Sequence, residues 1–556
     1  MPTVADLVFT GGRVFCPPPA GGAGSARFTD AVAVRDGRVL AVGRDEVAGL
    51  VGPRTDVVDL SGGLLVPGVQ DAHVHPVQGG LERLRCDLSG EGTREGYLAR
   101  IKRYAGAHPG AEWILGGGWS MAAFPGGTPT AADLDLVVPD RPVFLPNRDH
   151  HGAWVNSLAL RLAGVDEHTP DPSDGRIERD AAGRPAGTLH EGAMDLVGRL
   201  VPPPSEDELL AGLLEAQRYL HSLGITGWQD AILGSYANLT DASGAYRRAD
   251  ADGSLTAKVV GALWWRRDRG LEQVPDLVAR RAELSGGRLR PTSVKVMQDG
   301  VAENHTAAML TPYLDGAGRP TANSGLSFVD PQLLREAVPA LDAAGFQVHV
   351  HTIGDRAVRE ALDAVEEARR RNGFNDLRHH LAHIQVIHPD DVPRFRRLGV
   401  VANMQPLWAV HEPQMDELTI PFLGAERTRW QYPFGALLAS GAVLAGGSDW
   451  PVSSPDPWQG IHVAVNRTAP DEPGAPPFLP GEALDPVAAL TAYTAGSAHV
   501  NHSDECGTIA PGRAADLVVL DRDPLAGAPE DLAHTRVRAT YVDGRRVWSD
   551  DDDVTA

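Results

Sequence analysis

Two histidines separated by one residue, in Asp71-Ala72-His73-Val74-His75, fall on one face of an extended strand, because strand side chains alternate with a period of two. Neutral imidazoles converging on one face make the start of a metal site. The apolar run Leu64-Leu65-Val66 and the dipeptide Pro67-Gly68 lead into this pair. Further chemistry-bearing residues recur at the ends of later apolar runs. Lys295 lies in Val294-Lys295-Val296-Met297, His351 in Val348-His349-Val350-His351-Thr352-Ile353-Gly354-Asp355, His383 in His379-His380-Leu381-Ala382-His383-Ile384-Gln385, and Asp449 in Gly446-Gly447-Ser448-Asp449-Trp450-Pro451. Imidazole and carboxylate suit divalent ions of borderline or hard character.

The lysine is the least expected member. Of 51 basic residues only Lys102, Lys258 and Lys295 are lysine, so a lysine inside a strand is a candidate for chemistry a guanidinium lacks. A free amine with a pKa of about 10.4 stays protonated at neutral pH. Condensed with carbon dioxide it becomes a carbamate, whose two oxygens can bridge two metals. A plain amine on one metal, or one paired with an acid, is the alternative. Each residue has a rival. His349 shares the face of His351; His379 and His380 compete with His383; Lys258 competes with Lys295 but starts its strand, where a salt bridge is expected. Asp449 could merely cap a helix, and Asp355 reads as structural, at the start of the helix that follows.

These residues need a scaffold that gathers strand ends. From about residue 65 to 500 strand-like runs alternate with Ala/Leu/Arg-rich helical stretches such as 206–222, 331–344 and 356–371, which points to a parallel α/β architecture. The runs 64–75, 224–231, 256–265, 292–299, 346–353, 379–386, 399–405 and 442–449 predict the eight strands of a (β/α)8 TIM barrel. Catalytic groups of such a barrel sit at the strand C-termini. The gap between residues 75 and 224 exceeds an ordinary crossover, so roughly 85–205 reads as an inserted subdomain over the barrel mouth. Residues 1–63 and 503–556 each hold short strands and turns, Asp36-Gly37 among them, and are expected to build one discontinuous β-sandwich from both termini. The barrel then occupies 64–502. Gly116-Gly117-Gly118 lacks the Lys-Ser/Thr of a phosphate loop.

The net charge of −22 argues against nucleic acid or an anionic membrane as partner. No apolar run reaches the roughly 18–20 residues of a membrane span, and the N-terminal residues do not resemble a signal peptide. Three scattered cysteines, Cys16, Cys86 and Cys506, suit a reducing compartment with free thiols. A cytoplasmic protein acting on a small molecule is expected, with a homodimer plausible for such a barrel.

The ordered set resembles the amidohydrolase superfamily, and more closely its family-3 branch, which includes N-substituted formamide deformylase. The residues that carry this are Val66-Pro67-Gly68-Val69-Gln70-Asp71-Ala72-His73-Val74-His75, Lys295 with Asp299-Gly300, His351-Thr352-Ile353-Gly354-Asp355-Arg356, His383-Ile384-Gln385, Met404-Gln405-Pro406, Gly447-Ser448-Asp449-Trp450-Pro451 and Gly507-Thr508-Ile509-Ala510-Pro511-Gly512. The resemblance implies that His73, His75 and Asp449 hold one metal and His351 and His383 a second, with Lys295 between them. Ala382 departs from the acid that relatives usually carry before the sixth-strand histidine. The implied cofactor is one or two divalent ions, zinc first. A metal-bound water with its pKa lowered towards about 7 would attack an amide-like C–N bond outside peptide chains, Asp449 moving the proton to the leaving nitrogen. A cyclic amide, lactone or other ester is the alternative substrate, and a metal-poor binding barrel the alternative from another class. Within the insert, Trp119, His151 and Trp154 are candidate substrate contacts, with the insert's own core as the competing reading.

Overall fold

The computed structural model describes residues 4–21, 25–236, 239–472 and 474–553. Its centre is an eight-stranded parallel sheet in sequential order: β1 (Val69–Val74), β2 (Ile225–Leu233), β3 (Lys258–Trp264), β4 (Leu289–Met297), β5 (Gln347–Thr352), β6 (His380–His383), β7 (Val401–Met404) and β8 (Leu444–Gly446). The seam between β8 and β1 is joined just past the end of β8. The Asp449 N–H donates to the His73 carbonyl at 2.7 Å, and the His75 N–H to the Trp450 carbonyl at 2.8 Å. Sequential parallel strands, most of them followed by helices, make this the (β/α)8 barrel expected from the alternation.

Apolar faces of the outer helices close the barrel. The helix Glu206–Ser222 starts on a capping box, Ser205 with Glu208, and buries Leu209, Leu213, Ala216 and Leu220, spaced three or four apart as one helical face requires. The helices Pro331–Ala343 and Asp355–Asn372 follow β4 and β5. Among the described residues, no helix is long and apolar enough to cross a membrane.

The terminal strands form two sheets. One runs Arg38–Val42, Val32–Arg35, Leu7–Thr10, Asp56–Asp59; the other runs Arg545–Ser549, Val537–Val542, Leu517–Leu520, Leu64–Pro67, Arg13–Cys16, Arg27–Thr29. Phe9, Val14, Val32, Leu65, Leu517 and Tyr541 pack in one cluster drawn from both sheets. Asp36 and Gly37 both have positive φ, 50° and 75°, as the tight hairpin requires. The stretch 64–75 is not the single barrel strand expected. Leu64–Pro67 pairs with Arg13–Cys16 and Leu517–Leu520 in the sandwich, and only Val69–Val74 enters the barrel. Gly68 makes the change of sheet, where a Cβ would fall 2.3 Å from Thr226 Oγ1. Lys258, at the start of β3, ties barrel to sandwich through Asp516 at 2.7 Å and Asp543 at 2.8 Å.

The long stretch after β1 builds its own six-stranded mixed sheet, ordered Gly175–Arg179, Pro185–Glu191, Gly152–Val155, Val143–Pro146, Ile114–Gly117, Cys86–Asp87. Trp119 and Trp154 are fully buried in its core, edge to face at 6.1 Å. Their indole N–H groups donate to the carbonyls of Leu145 and Thr130. Both therefore lie in the insert's core, and neither borders either of the two cavities described below.

Candidate active site

The strand ends bring the expected residues together. His73 Nε2 lies 3.1 Å and His75 Nε2 3.0 Å from Asp449 Oδ1, and one ligating atom from each of the three lies within 4.8 Å of the others. On the neighbouring side, His383 Nδ1 is 3.8 Å from Asp449 Oδ2. The His383 ring is centred 4.7 Å from His73 and 4.5 Å from His351. Lys295 Nζ sits 3.5 Å from His73 Nε2 with no salt-bridge partner among the described residues, unlike Lys258. His383, Ile384 and Asp449 adopt left-handed backbone, φ 74°, 43° and 56°, which costs non-glycine residues free energy and clusters at functional sites.

The rivals have other duties. His349 Nε2 bonds His73 Nδ1 at 2.8 Å. His379 Nε2 bonds Asp342 at 2.9 Å, and His380 is held by Gln229 at 3.0 Å and Asn403 at 3.1 Å.

Electrostatics follow from burial. Burial pushes the Lys295 ammonium down to about 7, against the pull of Asp449. Burial also lowers His73 to about 3, with Lys295 adding to the effect. Burial works against the Asp449 charge, yet the imidazoles around it hold its carboxyl well below the usual range. These are the states a cation site needs: bare imidazole, ionised carboxylate and an amine able to lose its proton. His383 Nδ1 is buried without a hydrogen-bond partner, a cost a native structure explains by an ion or water. The donor set therefore fits a divalent metal.

Several supporting groups carry no signal that spacing alone reveals. Asp299, after β4, accepts His351 Nδ1 at 3.0 Å and the N–H groups of Ile353, Gly354 and Ala308 at 2.8–3.0 Å. Asp71 accepts the N–H groups of His73 at 2.9 Å and Ser448 at 3.0 Å. Both lie inside quoted motifs, but the partners His351 and Ser448 come from the ends of other strands. The third insert candidate, His151, does reach the barrel. Its Nδ1 lies 2.9 Å from Glu191 Oε2, its ring 5.8 Å from that of His351, and Glu191 Oε1 accepts Thr306 Oγ1 at 2.7 Å. Burial disfavours the His151 cation, but Glu191 raises it to about 9.

Two cavities open here. One, about 790 Å³, is bordered by His75, Glu82, His150, Glu191, Asp230 and Arg267. The other, about 570 Å³, is bordered by Glu82, Glu303, Ile353, Trp408, Tyr432 and Trp450. Trp408 stacks on His383 with ring centres 5.2 Å apart.

A barrel with this strand-end set defines a class, and the chain belongs to it: the amidohydrolase family, whose model matches residues 56–548. The chain is thus a hydrolase acting on carbon–nitrogen bonds. It is 33% identical to protein LONG AFTER FAR-RED 3 of Arabidopsis thaliana, over 98% of this chain and 92% of that protein. It is 29% identical to an N-substituted formamide deformylase of Arthrobacter pascens, over 92% of this chain and 94% of that one. Among solved structures, a metal-dependent hydrolase of Pyrococcus furiosus superposes with a TM-score of 0.69 at 27% identity, covering 93% of this chain and 99% of that one.

Proposed function

We propose that this chain is a metal-dependent hydrolase of small amides outside peptide chains, with N-substituted formamides as the leading substrate class. The similarity to a formamide deformylase over nearly the whole chain supports the substrate class. One observation carries the chemistry: His73, His75 and Asp449 present their ligating atoms within 4.8 Å of one another at the mouth of a barrel. These three would hold one divalent ion, zinc by ligand type. His351 and His383 would hold a second, with a carbamate on Lys295 between them.

When bound, the metal supplies an acidified water and polarises the substrate carbonyl. The rest falls to the chain. Asp449 Oδ1 faces His73 and His75. Oδ2 is the oxygen left to accept the proton of the attacking water and pass it to the leaving nitrogen. Asp299 fixes His351 through Nδ1, which leaves Nε2 as its ligating atom. The His151–Glu191 pair lies on the insert side of the site, its histidine ring 5.8 Å from that of His351.

The test is hydrolysis of N-substituted formamides by zinc-loaded wild type and Asp449→Asn protein. Formate release by wild type and a loss of at least about 10³-fold in the variant are expected, as for loss of both a ligand and a proton carrier. Hydrolysis of esters alone, or equal rates in both proteins, would overturn the proposal.

A further inference from the structure

Resting on the amide-hydrolase reading above, we propose that Arg267 anchors a carboxylate on the substrate, so that the preferred amides are anionic ones carrying a carboxylate on the arm that enters the larger cavity. Arg267 lies three residues beyond the end of β3, on the rim where such barrels hold substrate. It borders the cavity of about 790 Å³ that His75 also borders. The adjoining backbone is pinned to the site, since the Trp265 N–H donates to the Lys295 carbonyl at 2.9 Å.

The guanidinium is mounted and underused. It lies over the Phe328 ring at 4.1 Å and the Tyr236 ring at 5.2 Å, and its Nη2 donates to the Tyr236 hydroxyl at 2.6 Å. Its side chain is 18% exposed, and it faces the charges of Asp174, Asp195 and Glu191; the one paired with it, Asp174, stands 3.7 Å from Nη1, beyond hydrogen-bond distance. A guanidinium has five N–H donors in a fixed fork, and among the described residues this one makes a single hydrogen bond.

The other arginines of this wall each hydrogen-bond a carboxylate. Arg266 is held by both oxygens of Asp268, Arg280 bonds Asp241 and Ser243, and Arg85 reaches Glu208 at 3.4 Å. Two of the cavity's acids are occupied too. Glu191 is taken by His151 and Thr306, and Asp230 by the Tyr246 hydroxyl at 2.7 Å and the Ile232 N–H. Among the described residues of this wall, Arg267 is thus an arginine with no carboxylate hydrogen bond and with donors to spare, set beside two aromatic rings. Free N–H groups of a guanidinium fork are what a planar carboxylate pairs with. A neutral amide would leave those donors unmet in a half-buried pocket, at a cost.

The experiment compares N-formyl amino acids having one to four methylenes between nitrogen and carboxylate with their carboxamide counterparts. Wild type, Arg267→Gln and Arg267→Lys are each tested for KM, kcat and equilibrium binding. In wild type the best carboxylate is expected to bind and react with a KM on the order of 10–100-fold below its carboxamide, the range of a charge-assisted hydrogen bond. Arg267→Gln is expected to abolish that preference by raising KM for the carboxylates, with kcat and the carboxamide constants within about threefold of wild type. Arg267→Lys should retain part of it, since a point charge lacks the fork. An unchanged carboxylate preference in Arg267→Gln, or no preference in wild type, overturns the inference and leaves amide hydrolysis standing. Arg267-dependent binding of the carboxylates without hydrolysis of either series supports the anchor and overturns the amide-hydrolase reading instead.

Discussion

His349 Nε2 lies 2.8 Å from Nδ1 of His73, so the histidine that competes in sequence for a ligand's place buttresses a ligand. A histidine whose Nδ1 is engaged in this way turns its Nε2 towards Asp449 and Lys295, and such outer partners set ring orientation and ligand basicity. His349→Phe keeps the volume and removes the bond. A weakening of metal affinity by about 10–100-fold is expected, measured by chelator competition. An affinity within twofold of wild type would deny His349 this role.

Asp299 gathers four donors, three of them backbone N–H groups from the turn after β5 and the loop after β4. Asp299→Ala leaves them buried and unpaired. A loss of about 3 kcal/mol or more in unfolding free energy is expected by chemical denaturation, since each buried donor left unmet costs about 1–3 kcal/mol. Asp299→Asn, which keeps one acceptor oxygen, should lose less.

The two strand lysines should separate cleanly. Lys258 holds Asp516 and Asp543 where barrel meets sandwich, so Lys258→Met should cost about 3 kcal/mol of stability and leave metal content unchanged. Lys295→Met, which removes a buried amine without a salt bridge, should leave stability within about 1 kcal/mol or raise it and lower metal content. The reverse pattern would mean that the two roles are exchanged.

The His151–Glu191 pair gives a pH signature. His151 is raised from an ordinary 6.5 to about 9 when folded, burial notwithstanding, because Glu191 faces it. A group raised on folding contributes stability that is complete below pH 6.5 and lost as pH climbs through 9. Glu191→Gln should therefore lower the Tm more at pH 6 than at pH 9.5. Equal losses at both pH values would show that the pair is not an ion pair.

Much of this architecture is legible from strand-end chemistry. His73, His75, Lys295, His351, His383 and Asp449 were placed by type and position in apolar runs, and the barrel gathers all six. The fold departs where a run carries no mark of a boundary. The run 64–75 reads as one strand, since an apolar sequence fits both a sandwich core and a barrel wall; Gly68 alone marks the change of sheet. Trp119 and Trp154 fit a pocket or a core equally well by type, and only the partners of their indole nitrogens decide. Asp299, His349 and Arg267 draw their meaning from residues on other elements, which spacing along one chain cannot show.

The central claim is a metal site built on His73, His75 and Asp449 and extended to His351 and His383 through Lys295. The most direct measurement is metal content per chain by elemental analysis, on wild type and on Lys295→Ala prepared alike. Two equivalents in wild type, falling to one or fewer in the variant, are expected if a lysine carbamate bridges the pair. One equivalent in both proteins would contradict the bridge and leave a single-metal hydrolase in which Lys295 acts only by its charge.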